Sequence, residues 1–419
     1  MTRPRVIGET EMTTPVLPHP FGLYLHVPYC AALCPYCDFA KTANFTADIQ
    51  QRYLTQLAAH LRAWTSLPML KEACRHGFSS VFFGGGTPSL FAEEYRPLFA
   101  VIGPLLQQGA ELSLEANPDD ITAARLAIWR ELGFNRLSMG VQTFQPEGLA
   151  VLKRLHSSAQ ARQAIDNARA AFPTLNIDLI YGWPGQTLNA WEADLAIAIA
   201  HGVPHLSLYS LTYEGRTPLA RLALRGRIQR SGDDHLADLY SYACERLGAA
   251  GYHHEEVSNW SLPGAACQHN WLYWQDHSFV GIGAGAHGYL ASPQGAGLRY
   301  AYDRSDRVFN HRPLVAAAGD QVDAPALAAA FGIIPDGERN LDAWLTELIG
   351  AGLRTRHGIA LDAALKRCDL VLQPTPVLSE GLNRGLLVIE AGQVRLVPDE
   401  WFREAGWGVE LLRSCVVRV

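Results

Sequence analysis

Three cysteines within eight residues form the stretch whose chemistry the sequence shows most directly. Cys30, Cys34 and Cys37 are spaced C-x3-C-x2-C, and they follow a short apolar run that begins at Leu23. Thiolates are soft ligands that suit iron–sulfur clusters, and three of them leave the usual set of four cysteines one short. The spacing therefore favours a cluster with one iron open to a small molecule.

Three other interpretations of this loop stay open from the residues alone. Structural zinc would need a fourth ligand, such as His26 or a distant cysteine. A disulfide framework is disfavoured because eight cysteines in 419 residues are few and the triplet leaves one thiol over. A redox pair of Cys34 and Cys37 would leave Cys30 without a role. The cluster accounts for all three thiols.

The composition limits the class of protein. With 419 residues, 48% hydrophobic and 18% charged, the chain can bury a large core and form two or three domains. A net charge of -6 gives no basic surface for nucleic acid, so we expect no nucleic-acid partner. We find no apolar run of about 18 residues that would span a membrane. Residues 1–20 lack the apolar segment of a secretion signal, and we expect a flexible tail on a cytoplasmic protein.

Short apolar or β-branched runs alternate with segments of helical periodicity in the first half of the chain. We predict strands that begin at Leu23, Val81, Leu112, Arg136, Asn176 and His205. The helices predicted between them span residues 48–64, 93–106, 123–132, 159–171 and 188–200. Because strands that alternate with helices form parallel sheets, we expect an α/β fold built on a partial (β/α)6 barrel.

Several of these strands end in glycine or polar residues. The residues concerned are Gly84, Gly85, Gly86, Thr87, Glu115, Asn117, Gln142 and Asp178. Successive glycines let backbone approach a ligand closely, although they also suit a flexible turn. In α/β proteins ligands bind at the carboxyl ends of the strands, so these residues predict one shared site. Any one of the polar side chains would also serve as a helix cap.

The second half of the chain has a different pattern. We predict a helix over 234–250, an aromatic and histidine-rich segment over 252–290, a linker over 291–319 and a late β-hairpin at 390–393. We therefore expect a C-terminal α+β domain, of winged-helix-like type. The predicted division is a tail at 1–20, the barrel at 21–220, an extension at 221–300 and the C-terminal domain at 301–419.

The motifs, taken together, closely resemble the radical S-adenosylmethionine (radical SAM) superfamily. They are LYLHVPYCAALCPYCDF, FFGGGTPS, LEANP, RLSMGVQTF, LKRLH, IDLIYGWPGQT, HLSLYSLT and CQHNWLYW, in the order of the family. The resemblance covers residues 21–290 well and the rest more loosely. It is closest to the branch that holds the oxygen-independent coproporphyrinogen III dehydrogenases (oxidases) and the HemW heme chaperones.

The resemblance implies a 4Fe-4S cluster on Cys30, Cys34 and Cys37, with S-adenosylmethionine chelating the fourth iron. It also implies reductive cleavage of that molecule, with an electron donor such as a flavodoxin or ferredoxin. The positions that match S-adenosylmethionine contacts are Tyr24, Tyr36, Gly84, Gly85, Gly86, Thr87, Glu115, Gln142, Arg154 and Asp178. Arg154 suits the carboxylate because a guanidinium fork binds two oxygens at once.

Within this branch the resemblance leaves two functions. One is radical oxidative decarboxylation of coproporphyrinogen III to protoporphyrinogen IX. The other is a chaperone that binds heme and transfers it to an acceptor protein, which the sequence does not identify. Dehydrogenases of this branch typically carry a further cysteine where this chain has Phe39, and a longer segment before the first strand. We therefore expect the heme chaperone, with the dehydrogenase as the alternative.

The H-N-x-x-Y-W motif that begins at His269 is associated with the chaperones and with heme binding. His269 is accordingly the candidate heme ligand, because imidazole is a common axial ligand of heme iron. A histidine among aromatic residues is more often a hydrogen-bonded core residue, so that reading stays open. Cys267 and His287 are weaker alternatives.

Overall fold

The computed structural model describes residues 20–292, 296–314, 323–336, 340–397, 401 and 403–417. The flexible tail predicted for residues 1–20 lies outside the described residues, apart from Pro20. None of the described helices is long and apolar enough to cross a membrane.

A twelve-stranded sheet carries most of the described chain. Its strands are β1 (Gly22–Val27), β2 (Phe78–Gly85), β3 (Leu106–Ala116), β4 (Arg136–Gln142), β5 (Thr174–Tyr181), β6 (His205–Ser210), β7 (His253–Glu256), β8 (Asn259–Ser261), β9 (Phe279–Ile282), β10 (His287–Leu290), β11 (Leu298–Tyr302) and β12 (Ile333–Pro335). The helices of this part are α1 (Ala47–Thr65), α2 (Lys71–His76), α3 (Arg96–Ile102), α4 (Ala123–Glu131), α5 (Pro146–Val151), α6 (Ser158–Ala171), α7 (Leu188–Ala200), α8 (Pro218–Leu224), α9 (Asp233–Ala249), α10 (Gln268–Trp274), α11 (Asp306–His311) and α12 (Ala324–Phe331).

Strands β1 to β6 lie side by side in chain order, and each pairs with the next in parallel. β9 pairs in parallel with the free side of β1, and β10 to β12 continue the sheet with antiparallel pairing. At the other edge β8 and β7 add two antiparallel strands after β6. The predicted α/β fold with a partial barrel is therefore confirmed.

A smaller α+β region follows the sheet. It consists of α13 (Leu341–Gly352), β13 (Ile359–Ala360), α14 (Leu361–Arg367), β14 (Leu370–Leu372), α15 (Pro376–Asn383), β15 (Leu387–Glu390), β16 (Gln393–Leu396), α16 (Glu404–Ser414) and β17 (Cys415–Val417). β15 and β16 form the hairpin predicted at 390–393. We call this region the C-terminal module.

The buried side chains explain why these segments take these structures. β1 is buried almost throughout, as expected for a parallel strand covered on both faces. Helix α1 begins where the Thr46 hydroxyl accepts a hydrogen bond from the N–H of Ile49. It buries Leu57, Leu61 and Trp64 on one face, which packs against the sheet.

Two predicted segments differ from the structure. The helix predicted over 93–106 is reduced to α3, with 3-10 turns before and after it, because Pro97 and Pro104 lack the N–H that a longer helix would need. The linker predicted over 291–319 is wrong in its described part, since residues 298–302 form β11 and 306–311 form α11. Tyr300 and Tyr302 of β11 are buried in the main core.

The hydrophobic residues pack in two large clusters. The first runs from Phe21 to Ile333, and most of the second lies between Trp344 and Leu411. The predicted domain boundaries at 220 and 300 stay predictions. The packing of the described residues changes between Ile333 and Trp344, because β11 and β12 belong to the large sheet.

Candidate functional site

The cysteine loop begins where β1 ends, and it closes on itself. The N–H of Thr42 donates to the carbonyl of Pro28 at 2.7 Å, and the N–H of Cys30 donates to the carbonyl of Thr42 at 2.9 Å. These two bonds join the start of the loop to its end. The three thiols are therefore carried by a closed loop at the carboxyl end of the strand.

The side chain of His26, on β1, holds the end of the cysteine loop through a hydrogen bond. Its Nε2 lies 2.8 Å from the carbonyl oxygen of Ala40, and its Nδ1 lies 3.0 Å from the hydroxyl oxygen of Tyr24. Because a carbonyl only accepts, Nε2 carries the proton and Nδ1 accepts from Tyr24. Burial lowers the pKa of His26 to about 4, so the ring is neutral and this bonding pattern holds at neutral pH. Tyr24, a predicted cofactor contact, thus helps to position the loop.

Cys30, Cys34 and Cys37 are all free thiols. Burial, and more weakly the neighbouring thiols of Cys37 and Cys34, raise the pKa of Cys30 to about 11, while the Thr87 hydroxyl opposes the shift. Among the residues the structure describes, no three Cys, His, Asp or Glu side chains converge closely enough to hold one metal ion. A four-iron cluster places its thiolates on different irons, so it does not require that convergence.

The glycines after β2 allow this strand to pack closely against the cysteine loop. A Cβ on Gly84 would lie 3.0 Å from the Tyr24 ring, and one on Gly86 would lie 2.7 Å from the backbone of Pro28. Gly85 has a φ of +114°, and its N–H donates to Glu115 at 2.9 Å. Close packing alone therefore explains why these positions hold glycine. A role of their backbone in ligand binding stays a prediction.

Arg154 lies beside one of the thiols. Its Nη1 is 3.2 Å from Cys34 Sγ, and its Nη2 donates to Asn117 Oδ1 and to the carbonyl of Gly140, at 2.9 Å from the latter. The Asn117 amide donates in turn to the Thr87 hydroxyl at 3.3 Å. The buried Nε of Arg154 has no partner among the described residues. The structure thus brings the predicted carboxylate-binding arginine to the cysteine loop.

Two of the predicted acidic residues face a common interior cavity. Glu115 and Asp178 line a cavity of about 190 Å³ together with Ser138 and Asn176. Burial first, and then the charge of Asp178, raise the pKa of Glu115 to about 8, against the N–H of Gly85. Burial raises the pKa of Asp178 to about 6, opposed by hydrogen bonds to its carboxylate. Two carboxylates that line one interior cavity favour a ligand that brings amine or hydroxyl donors.

Tyr36 and Gln142 approach the same end of the sheet from different elements. Tyr36 packs against a small apolar cluster that includes Ile180 and Leu211, and its hydroxyl interacts with Cys34. Gln142 has a φ of +71° at a β-bulge in the pairing of β4 with β5. Bulges redirect side chains near functional sites. All the predicted cluster and S-adenosylmethionine residues therefore lie on β1 to β5 or in the segments that directly follow β1, β2 and α5.

His269 lies inside the barrel. It is fully buried, its Nδ1 is 2.8 Å from Ser80 Oγ, and its ring stacks on Phe82 at 5.3 Å. Its Nε2 has no partner among the described residues, and the residue lines the 190 Å³ cavity. Ligand pockets usually have about 300–1,000 Å³, so heme ligation by His269 would require this interior to open. Its role as a heme ligand stays a prediction.

A buried ion pair, which the sequence analysis did not predict, holds α10, the helix that carries the H-N-x-x-Y-W motif. Arg136 Nε donates to Glu111 Oε2 at 2.9 Å, and the carboxylate of Glu111 accepts from the N–H groups of Gln268 and His269 at 3.2 and 3.1 Å. Arg136 also donates to the carbonyl of Ala265. Glu111 thus satisfies free N–H groups at the start of α10 and holds this helix to β3. In the sequence Glu111 directly precedes one apolar run and Arg136 begins another, but neither position indicates that the two pair.

Comparison with known proteins gives consistent matches. The radical SAM superfamily model matches residues 24–197. The heme chaperone HemW of Mycobacterium tuberculosis is 39% identical over 285 residues, 66% of this chain and 71% of the relative. HemW of Escherichia coli is 36% identical over 294 residues, which cover 69% of this chain and 75% of that one. The chain belongs to the HemW family of radical SAM proteins. The predicted resemblance is confirmed.

A solved structure shows the same fold. Coproporphyrinogen III oxidase (HemN) from Escherichia coli, described as a radical SAM enzyme, has a TM-score of 0.72 over 94% of this chain and 90% of its own, at 19% identity. That likeness concerns the fold. Membership of the radical SAM superfamily implies a 4Fe-4S cluster and S-adenosylmethionine, and the three free thiols of the loop, with Arg154 beside Cys34, fit both groups.

Proposed function

We propose that this protein is a heme chaperone that binds a 4Fe-4S cluster and S-adenosylmethionine and transfers heme to an acceptor protein. The observation that carries the proposal is its membership of the HemW family. Relatives named heme chaperone HemW are 35–39% identical, and the chain covers 70–75% of their length. A cytoplasmic location is part of the proposal.

The cofactor site supports this assignment. Cys30, Cys34 and Cys37 would hold the cluster, which with S-adenosylmethionine supplies one-electron chemistry when bound. Arg154 already has its guanidinium beside Cys34, and it can bind a carboxylate there. Glu115 and Asp178 can accept hydrogen bonds from amine or ribose hydroxyl groups in the cavity that they share. Tyr36, Gln142 and Thr87 remain further proposed contacts.

The second candidate is oxygen-independent coproporphyrinogen III dehydrogenase. Its support is the fold, since the HemN likeness covers almost the whole chain. Phe39 argues against it, because this residue is 65% exposed and stands where dehydrogenases of this branch typically carry a further cysteine. An exposed phenylalanine at this position cannot supply a thiolate.

Product analysis separates the two candidates. The full chain, reconstituted with iron and sulfide without oxygen, is incubated with coproporphyrinogen III, S-adenosylmethionine and a reductant, with HemN as the positive control. We expect HemN to form protoporphyrinogen IX while this protein forms none and still binds added heme. Formation of protoporphyrinogen IX at a catalytic rate would replace the chaperone proposal with the dehydrogenase.

A further inference from the structure

A second, larger cavity lies where the end of α10 meets the C-terminal module. It is a cleft of about 880 Å³, with residues 274–277 on one wall and α13, α14 and the β15–β16 hairpin on the other. Its volume is in the range of pockets that hold cofactor-sized ligands, whereas the interior cavity beside His269 has about 190 Å³. The cleft shares no lining residue with that interior cavity.

Direct contacts hold the two walls of the cleft together. Trp344 Nε1, on α13, donates to the carboxylate of Asp276 at 2.7 Å. The guanidinium of Arg367, on α14, lies 4.0 Å from the centre of the Trp344 ring. The hydrogen bond connects the segment after α10 to the C-terminal module, and the cation–π contact packs α14 against α13 within the module. The cleft is a preformed feature of the fold.

One arginine of the lining is available to an anionic group of a ligand. Arg356, Arg367 and Arg395 line the cleft, against the carboxylates of Asp276 and Glu390. Glu255 pairs with Arg356 at 2.9 Å, but none of the described carboxylates forms an ion pair with Arg395. Guanidinium groups bind carboxylates through two parallel hydrogen bonds. Arg395 can therefore bind a carboxylate of a ligand without giving up an existing ion pair in the described chain.

The remaining lining suits a large aromatic ligand that carries a metal. Trp274 is half-buried and offers flat apolar surface on one wall, while Trp344 on the other wall is 4% exposed, with Arg367 over its ring. His277 and His357 bring two imidazoles, and the ring of His357 lies 4.7 Å from that of Trp271. Imidazole is a common axial ligand of heme iron. Aromatic surface, imidazole and arginine together match a planar metal macrocycle with two carboxylates.

We propose that heme docks in this cleft, with its macrocycle between the two walls, its propionates at Arg367 and Arg395, and its iron within reach of His277 or His357. The proposal rests on the proposed function, because it names the place where the chaperone holds its cargo. The H-N-x-x-Y-W helix then serves the cargo site through its end at Trp274, which lines the cleft, and His269 remains a residue of the interior.

Heme titration of the full chain tests the carboxylate contact. Ferric heme is added to wild type and to Arg395→Gln, and the Soret absorption is followed. We expect about tenfold weaker binding for Arg395→Gln, since a charge-assisted pair is lost. Arg384→Gln, an exposed arginine of the same module outside the cleft, is the matched control and should bind like wild type. Equal affinities of Arg395→Gln and wild type would overturn the contact.

A change of ligand tests the same contact without a mutation. Heme dimethyl ester keeps the macrocycle and iron but has no free carboxylates. We expect wild type to bind it at least tenfold more weakly than heme, and we expect a smaller difference between the two probes in Arg395→Gln, which keeps only the contact at Arg367. If wild type binds ester and acid equally, the propionates make no contact with the arginines. This comparison holds even if the variant folds poorly.

The iron ligand is tested by the double substitution His277→Ala/His357→Ala, with His76→Ala on the surface of α2 as control. The Soret band of the heme complex should shift in the double variant and stay unchanged in the control, and the single variants identify the ligand. A Soret band that shifts with His269→Ala and stays unchanged in the double variant would place heme in the interior. That outcome would contradict heme docking in the cleft without contradicting the heme chaperone function. If wild type shows no saturable heme binding, the proposed chaperone function itself is contradicted.

Discussion

At the carboxyl ends of β1 to β5 the side chains are buried or half-buried and bonded to one another, whereas the cleft at the end of α10 is open and lined by arginine and tryptophan. His26, Tyr24 and Ala40 form one bonded chain at the first site, and Arg154 contacts three partners there. A cofactor that must keep one orientation suits the first environment. A cargo that must leave again suits the second, a cleft of about 880 Å³.

The two regions should also bind their ligands independently, so that loss of the cluster leaves heme binding intact. The triple variant Cys30→Ala/Cys34→Ala/Cys37→Ala should lose the cluster completely after anaerobic reconstitution, because no other described thiol lies in the loop. Heme affinity should stay near that of wild type, since the cleft lies elsewhere. Iron, sulfide and the Soret titration are measured on the same sample. Wild-type iron and sulfide in the triple variant would contradict the ligand assignment, and Cys74→Ala is the control.

Glu111 links the two regions, because it binds the start of the helix whose end lines the cleft. Glu111→Ala leaves the buried Arg136 without its charge partner, and the loss of one side of such a pair lowers the free energy of unfolding by about 3–5 kcal/mol. Urea unfolding followed by circular dichroism measures this loss. Glu72→Ala removes an exposed carboxylate and should leave the midpoint nearly unchanged. Equal midpoints for the two variants would show that Glu111 does not hold α10.

The buried carboxylates should make the cofactor region sensitive to pH. The pKa of Glu115 is about 8 in the folded protein and 4.5 by ordinary value, so the folded state keeps a proton that the unfolded chain has released. This contribution to stability is complete below about pH 4.5 and is lost as pH rises through about 8. At about 1.4 kcal/mol per pKa unit, the difference amounts to a few kcal/mol at most.

Glu115→Gln cannot titrate, so its free energy of unfolding should fall less than that of wild type between about pH 5 and pH 8. Urea unfolding of the cluster-free chain at a series of pH values measures the difference. The exposed Glu147→Gln should follow wild type. Parallel curves for Glu115→Gln and wild type would mean that Glu115 is charged throughout this range.

Arg154→Lys should have the smallest of these effects. Lysine keeps the charge but cannot bind a carboxylate with two parallel hydrogen bonds, so we expect S-adenosylmethionine to bind about tenfold more weakly. Calorimetry on the reconstituted protein measures the affinity, and iron content shows that the cluster is retained. Arg162→Lys on the surface of α6 is the matched control. Unchanged affinity would remove Arg154 as the carboxylate partner.

The sequence predicted the parts of the fold that local patterns specify. β1, α1 and α7 have nearly the predicted bounds because their apolar spacing fits one structure. β11 was missed because the five residues Leu298–Tyr302 lie among proline, glycine and charged residues, and their burial depends on distant Trp64. The C-terminal hairpin was found, but its contribution to a cleft was not.

The two sites also combine features that local sequence patterns predict with features that depend on distant residues. The cysteine loop and the glycine run could be read from the sequence, because their residues are contiguous. The pairing of Glu111 with Arg136 joins two strands 25 residues apart, and a single sequence contains no signal for that contact. The cleft combines four segments between residues 274 and 395, so it exists only after the chain has folded. Local spacing thus predicts ligands, and tertiary packing decides which cavities surround them.

The most direct test of the central claim is a heme titration of the anaerobically reconstituted wild-type chain, followed by the Soret absorption at constant protein concentration. We predict saturable binding of one heme per chain, with no protoporphyrinogen IX formed when coproporphyrinogen III, S-adenosylmethionine and a reductant are supplied. A titration without saturation, or release of protoporphyrinogen IX at a catalytic rate, would contradict a heme chaperone.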